Sequence, residues 1–135
     1  MKTTELQIND WVMYRGKPRR ITGLDESSVY FEKYCTECHK AISVIPVPLT
    51  TEILENNGWK KVGEDERTGV PVMQIEYDGN AFWWTGMNGE CGCEDVENED
   101  GEEKFVKVFS CVQVCYVHEL QHALKLCRIE KEIKL

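Results

Sequence analysis

Two groups of residues in this chain have the types and spacing for chemistry. The first is His118-Glu119-Leu120-Gln121-His122, which spells HExxH. Histidines four apart share one helix face and can both reach a zinc ion, and the glutamate between them stands where it can take a proton from a metal-bound water. That chemistry is peptide hydrolysis, with Glu119 as the candidate catalytic base. It needs a third ligand, yet the only other histidine is His39, and the acids beyond Cys127 are Glu130 and Glu132. The second group is Cys35-Thr36-Glu37-Cys38-His39 together with Cys91 and Cys93. Thiolates from Cys35, Cys38, Cys91 and Cys93 would complete a tetrahedral zinc shell, although the second pair is spaced CxC instead of CxxC. CxxCH is also the attachment spelling of c-type haem, a chemistry that requires export, and the N-terminus Met1-Lys-Thr-Thr-Glu-Leu-Gln-Ile8 has no apolar signal core. The candidate metal ligands are therefore His118, His122, Cys35, Cys38, Cys91 and Cys93, each weighed against a plain structural role.

The element that must position the first group is an amphipathic helix over Tyr116 to Cys127. At about 100° per residue, Val117, Leu120, Ala123, Leu124 and Cys127 form one apolar stripe. His118 and His122 fall away from it, with Gln121 and Lys125 beside them. A helix docked by that stripe turns both histidines to water, so the wheel predicts a solvated face for them.

Composition narrows the classes. With 41% hydrophobic residues the chain can build a core, and 135 residues fit a single domain. No apolar run approaches the roughly 18 residues that a membrane-spanning helix needs. The reading is a cytoplasmic protein whose seven cysteines are thiols, ligands or core residues and not a disulfide framework. Glu90, Glu94, Asp95, Glu97, Glu99, Asp100, Glu102 and Glu103 lie in one stretch without a basic residue. These account for the whole formal charge of −8, because the remaining acids equal the 16 Lys and Arg residues in number. The stretch reads as an acidic surface loop and argues against nucleic acid as a partner. It is not an EF-hand loop: counted from Asp95, the sixth position is Asp100, and Gly101 comes one residue late.

Along the chain, Asp10 to Gly16, Arg19 to Leu24 and Ser28 to Tyr34 read as short strands, with turns at Gly16-Lys17-Pro18 and Asp25-Glu26-Ser27. They predict a strand meander, SH3-like in character, within a barrel-like lobe over 1–47. Ala41 to Val47 reads as extended, kept at an edge or outside a sheet by Pro46 and Pro48. A short helix over Glu52 to Asn57 is capped by Thr50 or Thr51 and stopped by Gly58, and Ile53, Leu54 and Trp59 pack inward. Val70 to Tyr77 and Ala81 to Thr85 form a hairpin about Asp78-Gly79-Asn80, which sends Trp83 and Trp84 to opposite faces. Lys104 to Cys115 reads as one long strand or two collinear ones leading into the helix, and Arg128 to Leu135 as a last short strand.

Three pieces look familiar together: Glu5 to Tyr14, Pro46 to Trp59, and Tyr116-Val-His-Glu-Leu-Gln-His122. On these the chain resembles a family of small uncharacterised proteins encoded by gut bacteria and their phages or mobile elements. In that family the last piece is similar to YVHQLQ, with glutamine where this chain has Glu119, and the position of His122 varies. The resemblance implies a pattern not built around a metal, and it carries no activity.

The sequence thus predicts an α+β fold: an N-terminal strand meander, a short middle helix, a hairpin, and a long strand leading into a C-terminal amphipathic helix. The expected role is that of a small cytosolic accessory or protein-interaction protein without catalytic activity. A zinc-binding protein ranks second, and a minimal HExxH-type metallopeptidase behind it.

Overall fold

The computed structural model describes residues 1–31, 39–77, 79–86, 89–99 and 102–135, with side chains at all of these except 42, 94–99 and 102–112. The fold is α+β, mostly antiparallel strands in three sheets with a helix near the C-terminus. The chain divides into two units. One comprises Met1–Pro48 with Tyr116–His118, the other Leu49–Cys115 with Glu119–Leu135. Among the described residues no helix is long and apolar enough to cross a membrane.

The first unit holds β1 (Trp11–Tyr14), β2 (Lys17–Arg20), β3 (Gly23–Leu24), β4 (Ser28–Tyr30), β5 (His39–Lys40) and β6 (Val44–Pro46). These make two sheets, ordered β2-β1-β6 and β3-β4-β5. Arg15 and Gly16 turn the β1–β2 hairpin with φ of 49° and 75°, the positive sign that a tight two-residue hairpin turn demands of both residues. The turn therefore comes one residue earlier than Gly16-Lys17-Pro18.

The single strand expected over Arg19 to Leu24 is broken. Ile21 is fully buried and ties itself to the preceding segment, its N–H donating to Asp10 O at 2.9 Å and its carbonyl accepting from Asn9 N at 2.7 Å. The ladder resumes only at Gly23. Likewise Ala41–Ser43 coils into a 3₁₀ turn before β6 begins. β6 is an end strand, which suits Pro46 because proline cannot donate to a neighbour. Leu6, Val12, Ile21, Val29, Phe31, Ala41 and Val44 form one core shared by both sheets, about 1.5–3 kcal/mol for each large apolar side chain fully buried. Of the strand expected over Ser28 to Tyr34, residues 32–34 lie outside the described residues.

The second unit holds α1 (Thr51–Asn56), β7 (Lys60–Glu64), β8 (Pro71–Tyr77), β9 (Asn80–Thr85), β10 (Glu90–Glu99) and β11 (Glu102–Gln113), followed by most of α2 (Val117–Leu126). Its sheet runs β11-β10-β9-β8-β7. Thr50 caps α1, its hydroxyl accepting from Ile53 N at 3.2 Å. Gly58, at φ 85°, closes it with two reversed bonds, Trp59 N to Leu54 O at 3.0 Å and Gly58 N to Glu55 O at 3.1 Å. Leu54 and Trp59 are buried across that closure. The end of α2 repeats the motif with Arg128 at φ 57° in the glycine position: Ile129 N donates to Leu124 O at 2.9 Å and Arg128 N to Lys125 O at 3.0 Å.

The β8–β9 hairpin forms in the expected place, with Tyr77 paired to Asn80; Asp78 lies outside the described residues. Trp84 is buried and its indole N–H donates to Val114 O at 2.8 Å. Trp83 is half-buried on the opposite face and crosses the neighbouring strand at Gly92, where a Cβ would stand 2.6 Å from the indole.

Over its described residues the acidic stretch is strand and not loop: Glu90–Glu99 form β10 and Glu102 and Glu103 begin β11, while Asp100 and Gly101 lie outside the described residues. β10 pairs with β9 from Cys91–Trp84 to Asp95–Asn80, and with β11. The register sets Glu94 opposite Lys107 and Glu97 opposite Lys104, so residues of opposite charge occupy paired positions. Low intrinsic strand preference is overridden by the need of the Val- and Phe-containing β11 for a partner. β7, fully exposed and without apolar alternation, was likewise unforeseen. The strand expected at Arg128 to Leu135 does not form among the described residues. The tail is instead held by Asn57, whose Nδ2 donates to Lys134 O at 2.9 Å and whose Oδ1 accepts from Lys134 N at 2.7 Å.

Candidate functional site

The helix carrying the HExxH spelling starts where the chain leaves β11. Pro48 and Tyr116 form an antiparallel bridge, and Val117 N donates to Val47 O at 2.9 Å, fixing the first turn. Val117, Leu120, Ala123, Leu124 and Cys127 are all buried, as their stripe predicts. His118 departs from the wheel: it is only 6% exposed, and its ring stacks on Tyr116 with centroids 6.0 Å apart and planes 13° apart. The wheel failed there because it counts only helical neighbours, whereas Tyr116 lies outside the helix. His122 is half-buried.

Glu119 is the third residue of the helix, and its carboxylate turns back to accept from Cys115 N at 3.0 Å. An acid in the first turn satisfies a stranded N–H and lies favourably in the helix dipole, so this geometry gives Glu119 a capping role. Its charge also reaches Cys91. Burial, with a smaller push from Glu119, raises the Cys91 thiol from 9.0 to about 11. Cys91 and Cys93 are both buried in β10, and Cys91, Cys93, Cys115 and Cys127 are thiols without disulfides. Cys35 and Cys38 lie outside the described residues, as does any shell they would share with Cys91 and Cys93. Among the described residues, no three His, Cys, Asp or Glu side chains converge as a metal would require. His118 and His122 lie one turn apart on this helix.

A different surface has the composition of a binding site. The register of β1 with β2 and β6 pairs Trp11 with Arg20, Met13 with Pro18, and Met13 with Ile45. Side chains alternate along strands, so these five share one face, opposite the core face of Val12 and Val44. Trp11, Met13 and Arg20 are half-buried, Pro18 is exposed, and Ile45 is 59% exposed. Aromatic residues, methionine and arginine are the types enriched where proteins meet. Arg15 and Lys17 stand exposed at the adjoining hairpin tip, with the Arg15 guanidinium 5.3 Å from the Tyr14 ring centre. None of these residues was singled out from the sequence. The available signal was Trp11-Val12-Met13-Tyr14, an apolar strand of both parities. No protein-family model, no curated protein and no solved structure matches this chain.

Proposed function

We propose that this is a non-enzymatic accessory protein of the cytoplasm that works by binding another protein through the outer face of the β2-β1-β6 sheet. The observation that carries the reading is Ile45, a large apolar side chain 59% exposed beside Trp11 and Met13 on a sheet whose other face is core. Scattered surface leucines and isoleucines need no explanation, but adjacent ones on a sheet face mark contact surfaces. The engagement of Glu119 as a cap also favours binding over hydrolysis, because a base already holding a backbone N–H is poorly placed to activate water.

The test is Ile45→Glu. It places a charge on an exposed site, so stability in urea unfolding should change by no more than the roughly 0.5 kcal/mol of ordinary surface substitutions. Co-purification of a partner from cells expressing the wild-type chain should be lost in this variant. A partner retained by Ile45→Glu would show that the face is not the interface.

A further inference from the structure

We infer that two copies of this chain pair antiparallel along the outer edge of β11, about a twofold axis at Phe105. The contact lies in the second unit and does not rest on the binding face proposed above. Among the described residues β11 pairs on one side only, with β10, and its other side ends the five-stranded sheet. Such an edge carries a row of N–H and C=O groups ready to bond another strand. The opposite end of the sheet is blunted: β7 has lysines at 60 and 61 and a register shift between Lys61 and Gly63. On β11 the register against β10 runs unbroken from Glu102 opposite Glu99 to Lys107 opposite Glu94. Its two lysines each have an acidic residue opposite on β10, Glu97 for Lys104 and Glu94 for Lys107. The irregularity comes beyond them, between Glu94 and Cys93, and limits the regular edge to residues 102–107.

The residue types along that edge fit a second copy. In an antiparallel ladder, facing residues either both exchange backbone bonds or both do not. Along β11 the residues bonded to β10 alternate with those whose backbone groups point outward, so a twofold axis must pair positions of equal parity. Within 102–107 the two longest registers of that kind turn about Lys104, over 102–106, and about Phe105, over 103–107. The first makes Lys104 face its own copy as a like charge. The second sets Glu103 opposite Lys107 of the second copy, twice by symmetry, with Phe105 opposite Phe105. Lys107 then has an acidic residue on both sides, Glu94 in its own sheet and Glu103 across the axis. The net charge of −8 on each copy opposes the pairing. The two acidic β10 strands, however, stand three strand spacings apart in the paired form, about 14 Å, well beyond the screening length of about 8 Å at physiological salt. The opposition is therefore felt chiefly at low salt.

The test is sedimentation equilibrium of the full chain across a dilution series, with native-state hydrogen exchange at both ends of the series. A monomer–dimer equilibrium is expected at physiological salt, and a weaker one at about 0.01 M, where the screening length grows to about 30 Å. Amides within 103–107 should exchange more slowly in the concentrated sample, because the new ladder engages the outward N–H groups. Glu103→Lys sets like charges opposite at both symmetric positions and should weaken the dimer at least about fivefold. Position 103 faces Asn98 in its own sheet, so the substitution creates no like-charge pair within the chain. Glu102→Lys makes the same change in net charge one position outside the paired stretch, and the dimer should be as strong or stronger. The proposal is overturned if the chain is monomeric at every concentration, if low salt strengthens the dimer, or if exchange within 103–107 is independent of concentration. It is equally overturned if Glu102→Lys weakens the dimer as much as Glu103→Lys, or if Ile45→Glu dissociates it. Should Glu103→Lys fail to fold, the salt and exchange measurements on the unsubstituted chain decide.

Discussion

Asn57 is the residue on which the C-terminal tail depends. It sits at the C-cap of α1 and is 8% exposed. Its amide donates to Ile53 O at 2.8 Å and Lys134 O at 2.9 Å, and its oxygen accepts from Lys134 N at 2.7 Å. Asn57→Ala removes all three bonds. At a net of about 1 kcal/mol each, the ceiling is about 3 kcal/mol. Lys134 is exposed, so water can take over its backbone groups, and the loss from those two bonds should be partial. The second contribution is Ile133, fully buried beside this anchor, whose release would forfeit about 1.5–3 kcal/mol. The expected net destabilisation is about 2–3 kcal/mol, a large share of the 5–15 kcal/mol typical of a domain. Urea unfolding should show a lower midpoint at unchanged slope. Native-state hydrogen exchange should show the Lys134 amide exchanging faster than the rest of the unit, since the tail can open locally. A loss below about 0.5 kcal/mol with Lys134 still protected would refute the anchoring role.

Three further outcomes follow from the helix and the buried thiol. Leu120→Ala should cost about 2–5 kcal/mol by thermal or urea unfolding, because the side chain is fully buried, whereas Leu126→Ala, 84% exposed, should be nearly silent. His118→Ala should cost about 1–3 kcal/mol through lost packing on Tyr116, and His122→Ala less; equal and negligible effects would restore the solvated-face expectation for both. Cys91 holds its proton to about 11 in the folded chain against 9.0 ordinarily, so its contribution to stability is complete below pH 9 and is lost as pH rises towards 11. Cys91→Ala should flatten the fall of stability over that window, and a slope unchanged by the substitution would contradict the burial argument.

What the sequence disclosed was what local chemistry determines. Thr50 and Gly58 bound α1 because a hydroxyl cap and a left-handed closure need only neighbouring residues. The Tyr77–Asn80 hairpin and the buried stripe of α2 are legible for the same reason. Features set by distant partners were hidden. β10 is a strand because β9 and β11 flank it, although its own composition reads as a loop. The tail is held by Asn57 across 77 positions in sequence, which no periodicity records. His118 is buried against a residue outside its helix, and the outer face of Trp11, Met13 and Ile45 exists only through the register of β1 with β6. The spelling HExxH was visible at once, while the bond from Cys115 N that gives Glu119 its role was not.

The central claim is that this chain acts by binding and that its HExxH helix is a structural element. Elemental analysis of protein purified without added metal tests it most directly. Zinc well below stoichiometric, in protein that unfolds at the same temperature with and without chelator, is the predicted result. One zinc per chain, removed by chelator with loss of stability, would contradict it and return the His118–His122 pair or the four cysteines to the centre of the function.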